Sequence, residues 1–178
     1  MTSTEPGALR RTLNAIYLCS AVIAGAALVA ITVLVTIQIL ARPLGLIISY
    51  TDELAGFSLA ASVFLALPYT LRKGRHVRMS LLVGRLTGER RRWLEVVCLL
   101  VATGVVGFFA LNSVELTMDF YRAHDVSTGS LATPRWMPQS VMSVGLVILF
   151  IAVVDDLVLL LRGLTASYMA EPESPPSI

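Results

Sequence analysis

The chain has 178 residues, 56% of them hydrophobic and 15% charged, with a net charge of +2 and a mean hydropathy of +0.76. A soluble domain carries roughly a quarter charged residues, and one small core cannot hold this apolar excess, so part of the solvent must be lipid. That composition excludes an ordinary soluble domain and a disordered chain, and no nucleic-acid partner is expected.

The first apolar run is Leu13 to Ala41, ended by Arg42-Pro43. At ~1.5 Å per residue it reaches ~43 Å, more than a ~30 Å hydrocarbon core requires, so it is expected to tilt or project. Arg10-Arg11 stands before it, but the run is too long for a signal-peptide core and no convincing cleavage site follows; a retained anchor is expected. The second run, Leu54 to Leu71, follows Thr51, Asp52 and Glu53, acids that complement a helix dipole in its first turn. Pro68 removes one of its backbone hydrogen bonds and is expected to kink it. The third run is Val96 to Val114, between Glu95 and Glu115. The fourth, Trp136 to Val154, opens after Thr133-Pro134-Arg135 and resumes beyond Asp155-Asp156 as far as Arg162. Cys19 and Cys98 both fall inside apolar runs, too far apart in sequence for a CxxC site, and are expected as small core-filling residues.

These runs predict an all-α integral membrane protein of four transmembrane helices, about 13–41, 52–72, 93–116 and 136–162. They form a membrane domain over 1–165, followed by a polar, proline-rich, disordered tail over 166–178. The connection between spans two and three alternates Val77, Met79, Leu81, Leu82 and Leu86 with Arg78, Ser80, Gly84 and Arg85, which suits a short basic interfacial helix as well as it suits a plain topogenic loop. Four spans put both termini on one side. That side carries Arg10, Arg11, Arg72, Lys73, Arg75, Arg78, Arg85, Arg90, Arg91, Arg92 and Arg162; the other has only Arg42, Arg122 and Arg135. The positive-inside rule makes the first side cytoplasmic. The basic segment, with His76, would meet lipid headgroups and fix topology.

Few residues offer chemistry. His76 and His124 both lie outside the spans, whereas a membrane haem site wants histidines facing each other within a bundle. There is no GxSxG, HExxH, Walker A or CxxC motif, so an enzyme is not expected. Gln38, Asn112 and Ser113 suit hydrogen bonds between helices, and Gly104 and Gly107 suit close helix approach. Asp155-Asp156 is the oddest feature, because acids inside a span are costly. With no other buried acid to complete an ion cage, they read as partners of Arg72, Lys73 or Arg75 at the inner interface. On the opposite surface Arg42, Asp52, Glu53, Arg122, Asp125 and Arg135 are candidate docking residues for a soluble partner, since both signs of charge suit a transient, steered encounter.

The acid-headed second span, its ending Leu71-Arg72-Lys73-Gly74-Arg75-His76-Val77-Arg78-Met79-Ser80-Leu81-Leu82, and the later Thr133-Pro134-Arg135-Trp136-Met137-Pro138 resemble the small membrane subunit of TRAP transporters, the DctQ-like family. The resemblance covers the four-span plan from about Leu13 to Arg162. Many members carry an acid two residues after the arginine of Gly-x-His-Val-Arg; Ser80 stands there in this chain, so a salt bridge from that acid does not carry over. The resemblance implies a tripartite secondary transporter for organic acids in a prokaryotic cytoplasmic membrane. A periplasmic binding protein would deliver the solute. A large permease subunit would hold the solute and the sodium ions, leaving no cofactor in this chain, and the small subunit would support that subunit's scaffold. The rival reading is a stand-alone four-helix membrane protein, either a small channel or an assembly factor.

Overall fold

A computed structural model of the protein describes residues 8–46, 50–72, 89–129 and 131–161. Its helices are α1 (Ala8–Ala41), α2 (Thr51–Arg72), α3 (Glu89–Ala123) and α4 (Trp136–Leu161), with a 3₁₀ turn, Arg42–Leu44, after α1. All four are long and apolar enough to cross a membrane. Among the described residues no strand forms beyond an isolated antiparallel bridge between Val126 and Pro134. The fold is therefore the all-α membrane fold of four spanning helices. The basic segment carrying Lys73, Arg75, His76, Arg78 and Arg85, where an interfacial helix was expected, lies outside the described residues, as does the tail over 166–178.

Local sequence explains where the helices stop. Pro43 disfavours helical geometry in the residue before it, and Gly45 then takes the left-handed conformation at φ 72°. Gly45 N–H donates to Arg42 O at 3.0 Å and Leu46 N–H to Ala41 O at 3.2 Å, which satisfies two terminal carbonyls in a Schellman arrangement. α3 ends the same way around His124, at φ 51°, with His124 N–H to Tyr121 O at 3.4 Å and Asp125 N–H to Phe120 O at 3.2 Å. Pro138 falls in the first turn of α4, where no intrahelical donor is lost.

The helices pack in the order α1, α2, α4, α3, so that α2 and α4 are central and α1 and α3 stand at the ends. Burial follows this order. α1 is covered along one seam only, Tyr17, Ser20, Ala24, Ala27, Ile31, Leu34, Gln38 and Ala41, alternating three and four residues apart. That is the 3.5-residue period of a helix wound around one partner. Conversely, α2 exposes only the narrow stripe Asp52, Gly56, Leu59 and Val63. At the end of the bundle where α2 stops, Leu99 of α3 packs with Val153 and Leu160 of α4, and Leu71 of α2 closes on them. Cys19 does not fill the core: it lies on the exposed side of α1, two residues from the buried Tyr17. At 100° per residue that step carries it off the seam.

Backbone comes close to backbone between α2 and α4. Pro68 has no N–H, so Phe64 O, four residues back, receives no helical donor from it. α2 nevertheless runs through Pro68 to Arg72. Against this carbonyl α4 sets Gly145, where an added Cβ would fall 2.7 Å from Phe64 O and 2.8 Å from its carbon. Backbone cannot rotate away as a side-chain tip does, so only glycine permits this spacing. Of the two glycines expected to mark close approach, Gly107 lies beneath the Phe150 ring, whose Cε2 would be 2.9 Å from an added Cβ, while Gly104 faces open space. Gly145→Ala is predicted to destabilise the purified chain by about 1–3 kcal/mol, the scale of overpacking. Gly104→Ala is predicted to be neutral or slightly stabilising. Thermal unfolding in detergent distinguishes them; equal melting temperatures for the two variants would contradict the packing.

Candidate functional site

Polar side chains are concentrated at three levels of the bundle. At the Arg72 end, the last residue of α2 reaches both neighbours. Arg72 Nη2 donates to Asp155 Oδ2 of α4, and Nη1 donates to Asn14 Oδ1 of α1. The guanidinium carbon also sits 4.8 Å from the centroid of the Tyr17 ring, within cation–π range. One arginine thus ties three helices. The pair is largely removed from solvent, with side-chain exposures of 11% for Arg72 and 29% for Asp155. Asp156 points about 100° further round α4 and is fully buried. The two acids therefore face different surroundings. Of the three candidate bases, Arg72 meets Asp155, while Lys73 and Arg75 lie outside the described residues. Arg90, Arg91 and Arg92 belong to the first turn of α3, whose side chains there are likewise not described.

In the middle level α3 and α4 are joined by a hydroxyl cluster. Ser113 and Ser143 hydroxyls lie 2.7 Å apart, Thr117 and Ser143 hydroxyls 2.8 Å apart, and Gln139 Nε2 donates to Ser113 Oγ at 3.2 Å. Ser113 and Ser143 are both buried. Asn112, by contrast, turns away and donates to Phe108 O of its own helix at 2.7 Å. Gln139, Thr117 and Ser143 are contributors that sequence reasoning missed. Their signal was the paired spacing, Ser113 with Thr117 and Gln139 with Ser143, four residues apart on each of two helices.

The third level is the Trp136 end. Gln38 Nε2 of α1 donates to Asp52 Oδ1 of α2 at 2.9 Å, the interhelical bond expected of Gln38. Glu53 Oε2 accepts from Leu131 N–H at 3.2 Å, and its carboxylate lies against Gly129, where an added Cβ would require the Glu53 side chain to shift. The start of α2 thereby holds down the α3–α4 connection. That connection is also braced internally: Ser127 N–H donates to Thr133 O at 2.8 Å, and Arg135 pairs with Asp125 at 3.3 Å. His124 serves the helix end, its Nδ1–H donating to Arg122 O at 3.1 Å. Tyr121 and Trp136 stack edge to face with centroids 5.7 Å apart, a pair of interfacial aromatics. Of the six candidate docking residues, Asp52, Glu53, Asp125 and Arg135 are held in these contacts. Arg42 and Arg122 are exposed and make no side-chain hydrogen bond or ion pair among the described residues.

Among the described residues no three acidic, histidine or cysteine side chains converge as a metal site would require. Where polar groups meet across helices they pair them, and the Arg72–Asp155 clasp is the charge-assisted member of this set. Its partial burial places it between the ~0–1 kcal/mol of an exposed pair and the ~3–5 kcal/mol lost on breaking a buried one. Asp155→Asn and Arg72→Leu are each predicted to cost about 1–3 kcal/mol of stability, and the double change less than their sum. Additive losses in a thermal or chemical unfolding cycle would show that the two side chains are not coupled.

Residues 31–163 match the family described as tripartite ATP-independent periplasmic transporters, DctQ component. The match begins in the last third of α1 and runs through α2, α3 and α4. No curated protein and no solved structure shows significant similarity to the chain. The family is a transporter component rather than an enzyme family, its members associate with a large permease subunit and a periplasmic binding protein, and the match covers well over half of this sequence. With four apolar helices and a fold tied together by its own polar groups, the chain belongs to the DctQ component family of tripartite ATP-independent periplasmic transporters.

Proposed function

We propose that the chain is the stationary membrane support of its large permease partner in sodium-driven import of an organic acid. The observation that carries this reading is the fate of its buried polar groups. Ser113, Thr117, Gln139 and Ser143 bond to one another, and Arg72 bonds to Asp155 and Asn14. Groups consumed in holding helices together are not offered to a solute. Solute and sodium binding then belong to the large subunit, and this chain supplies bilayer footprint and lateral surface.

The eleven-to-three distribution of lysine and arginine orients the Arg72 end toward the cytoplasm, with both termini on that side and the basic segment Arg72 to Arg92 at the headgroups. The Trp136 end then faces the periplasm. Glu53 and the Asp125–Arg135 pair hold the connection there in shape, while Arg42 and Arg122 keep free charges for the approach of a binding protein. The membrane is the cytoplasmic membrane of a prokaryote, where a binding protein can reach the outer face.

Two measurements test this reading. Reconstituted alone, the chain is predicted to give no sodium-driven uptake, and uptake is predicted to appear only with the large subunit and binding protein. Uptake by the chain alone would refute the supporting role and favour a self-sufficient channel or carrier. In a background with Cys19 and Cys98 replaced by serine, cysteine at Thr128 is predicted to react with an impermeant thiol reagent in intact spheroplasts, and cysteine at Arg85 only after permeabilisation. The reverse pattern would invert the orientation.

A further inference from the structure

The end helices α1 and α3 each have one covered side, and their open sides differ in chemistry. The open side of α1 carries Ile16, Ile23, Val29, Val33 and Leu40, and its exposed Thr32 and Thr36 hydroxyls donate to carbonyls of their own helix, Leu28 O at 3.1 Å and Thr32 O at 2.7 Å. Nothing on that surface asks for a polar partner. Lipid suits it.

The open side of α3 is different. Opposite the seam that meets α4 run Val97, Val101, Gly104, Val105 and Phe108, followed toward the Trp136 end by Glu115, Asp119 and Arg122 at helical spacing. All three charged residues are exposed, and none makes a side-chain hydrogen bond or ion pair among the described residues. The depth of Glu115 follows from the hydroxyl cluster. Ser143 bonds Ser113 and Thr117, which bracket Glu115, so Glu115 lies level with Ser143, seven residues into α4 beyond Trp136. At 1.5 Å per residue that is roughly 10 Å below the Trp136 level. The uncharged run of α4, Trp136 to Val154, matches the ~30 Å hydrocarbon thickness, and Glu115 stands beside this run, inward of its Trp136 end. An ionised carboxylate facing lipid at such depth is costly. Beside it, a groove of about 670 Å³ runs between α3 and α4, walled by Leu111, Val147 and Phe150 and edged by Glu115, Asp119 and Arg122. Further along the same side, Gly104 leaves open space in which another backbone can come close.

From these observations we infer that the open side of α3 is the face that seats a transmembrane helix of the large permease subunit, one bringing a hydrogen-bond donor or a basic side chain to Glu115, while the open side of α1 faces lipid. The inference rests on the supporting role proposed above and adds to it the surface that performs it. Below Arg122, which stays at the periplasmic end of the helix, the stripe presents the acids Glu115 and Asp119, so the complementary helix carries positive or donor character at that depth. Charge complementarity favours it over a second copy of this chain, which would set Glu115 and Asp119 against the same two acids.

The test uses the full-length chain co-expressed with its large subunit. A photo-reactive phenylalanine analogue at Val105 or Phe108 of α3 is predicted to give an adduct with the large subunit, and the same analogue at Ile23 or Val29 of α1 is predicted to give none. Glu115→Leu is predicted to lower the large subunit recovered with the tagged chain by a factor of about 3–30, as expected for a lost interhelical polar contact, while the melting temperature of the isolated chain stays unchanged. Glu115→Gln, which keeps hydrogen bonding, is predicted to retain more of that recovery. Adducts from α1 and not from α3, with co-purification intact, would overturn the choice of face and leave the supporting role standing. Adducts of the chain with itself from α3 would replace the partner helix by a second copy and overturn the inference. Unchanged recovery with Glu115→Leu would mean that the stripe meets lipid headgroups instead. Absence of co-purification for the wild-type chain would refute the supporting role itself.

Discussion

Hydrocarbon contains no water, so every polar group placed between membrane helices must find its partner there or face a large penalty. The structure is organised around this constraint. Arg72 can sit between α1, α2 and α4 because Asp155 and Asn14 accept its hydrogen bonds and the Tyr17 ring takes part of its face. Ser113 and Ser143 can be buried because each supplies what the other needs. At the opposite end Gln38 and Glu53 join α1 and the α3–α4 connection to the start of α2. Apolar packing alone gives little reason for one arrangement of lipid-soluble helices over another, since lipid tails are as apolar as leucine. The paired polar groups supply that reason.

Close packing does the remainder. Pro68 leaves the Phe64 carbonyl without its helical donor, and Gly145 lets α4 approach that carbonyl. This contact fixes the two central helices against each other, and α1 and α3 are then added on either side. The single covered seam of α1, with its alternating steps of three and four, records that it has one neighbour. A protein built this way has two lateral surfaces. The one on α1 is apolar, and the one on α3 holds Glu115 at a depth where lipid is a poor solvent for it.

Much of this was legible in the sequence, and the physical reasons for the rest are specific. The four spans followed from uncharged runs between charge clusters, because insertion into lipid is governed by composition over about twenty residues. The attraction of Asp155 to Arg72 was legible because an acid within a span needs a base, and few bases lie at that depth. Gln38 was recognised as a polar residue suited to bonding between helices, and it bonds Asp52. The packing order was not legible, since helices that are apolar all round show no stripe that distinguishes a neighbour from lipid. Gly145 carries no local signal because its role depends on Phe64, far away in sequence, and Cys19 reads as a core residue because small and apolar describes a lipid-facing site equally well.

The most direct measurement is electron cryo-microscopy of the chain with its large permease subunit in lipid nanodiscs, at a resolution that shows side chains. Such a map is predicted to show α2 and α4 at the centre of the small subunit, α3 packed on the large subunit with Glu115 bonded across the interface, and lipid density along α1. A complex in which α1 meets the large subunit and Glu115 lies among acyl chains would contradict this arrangement.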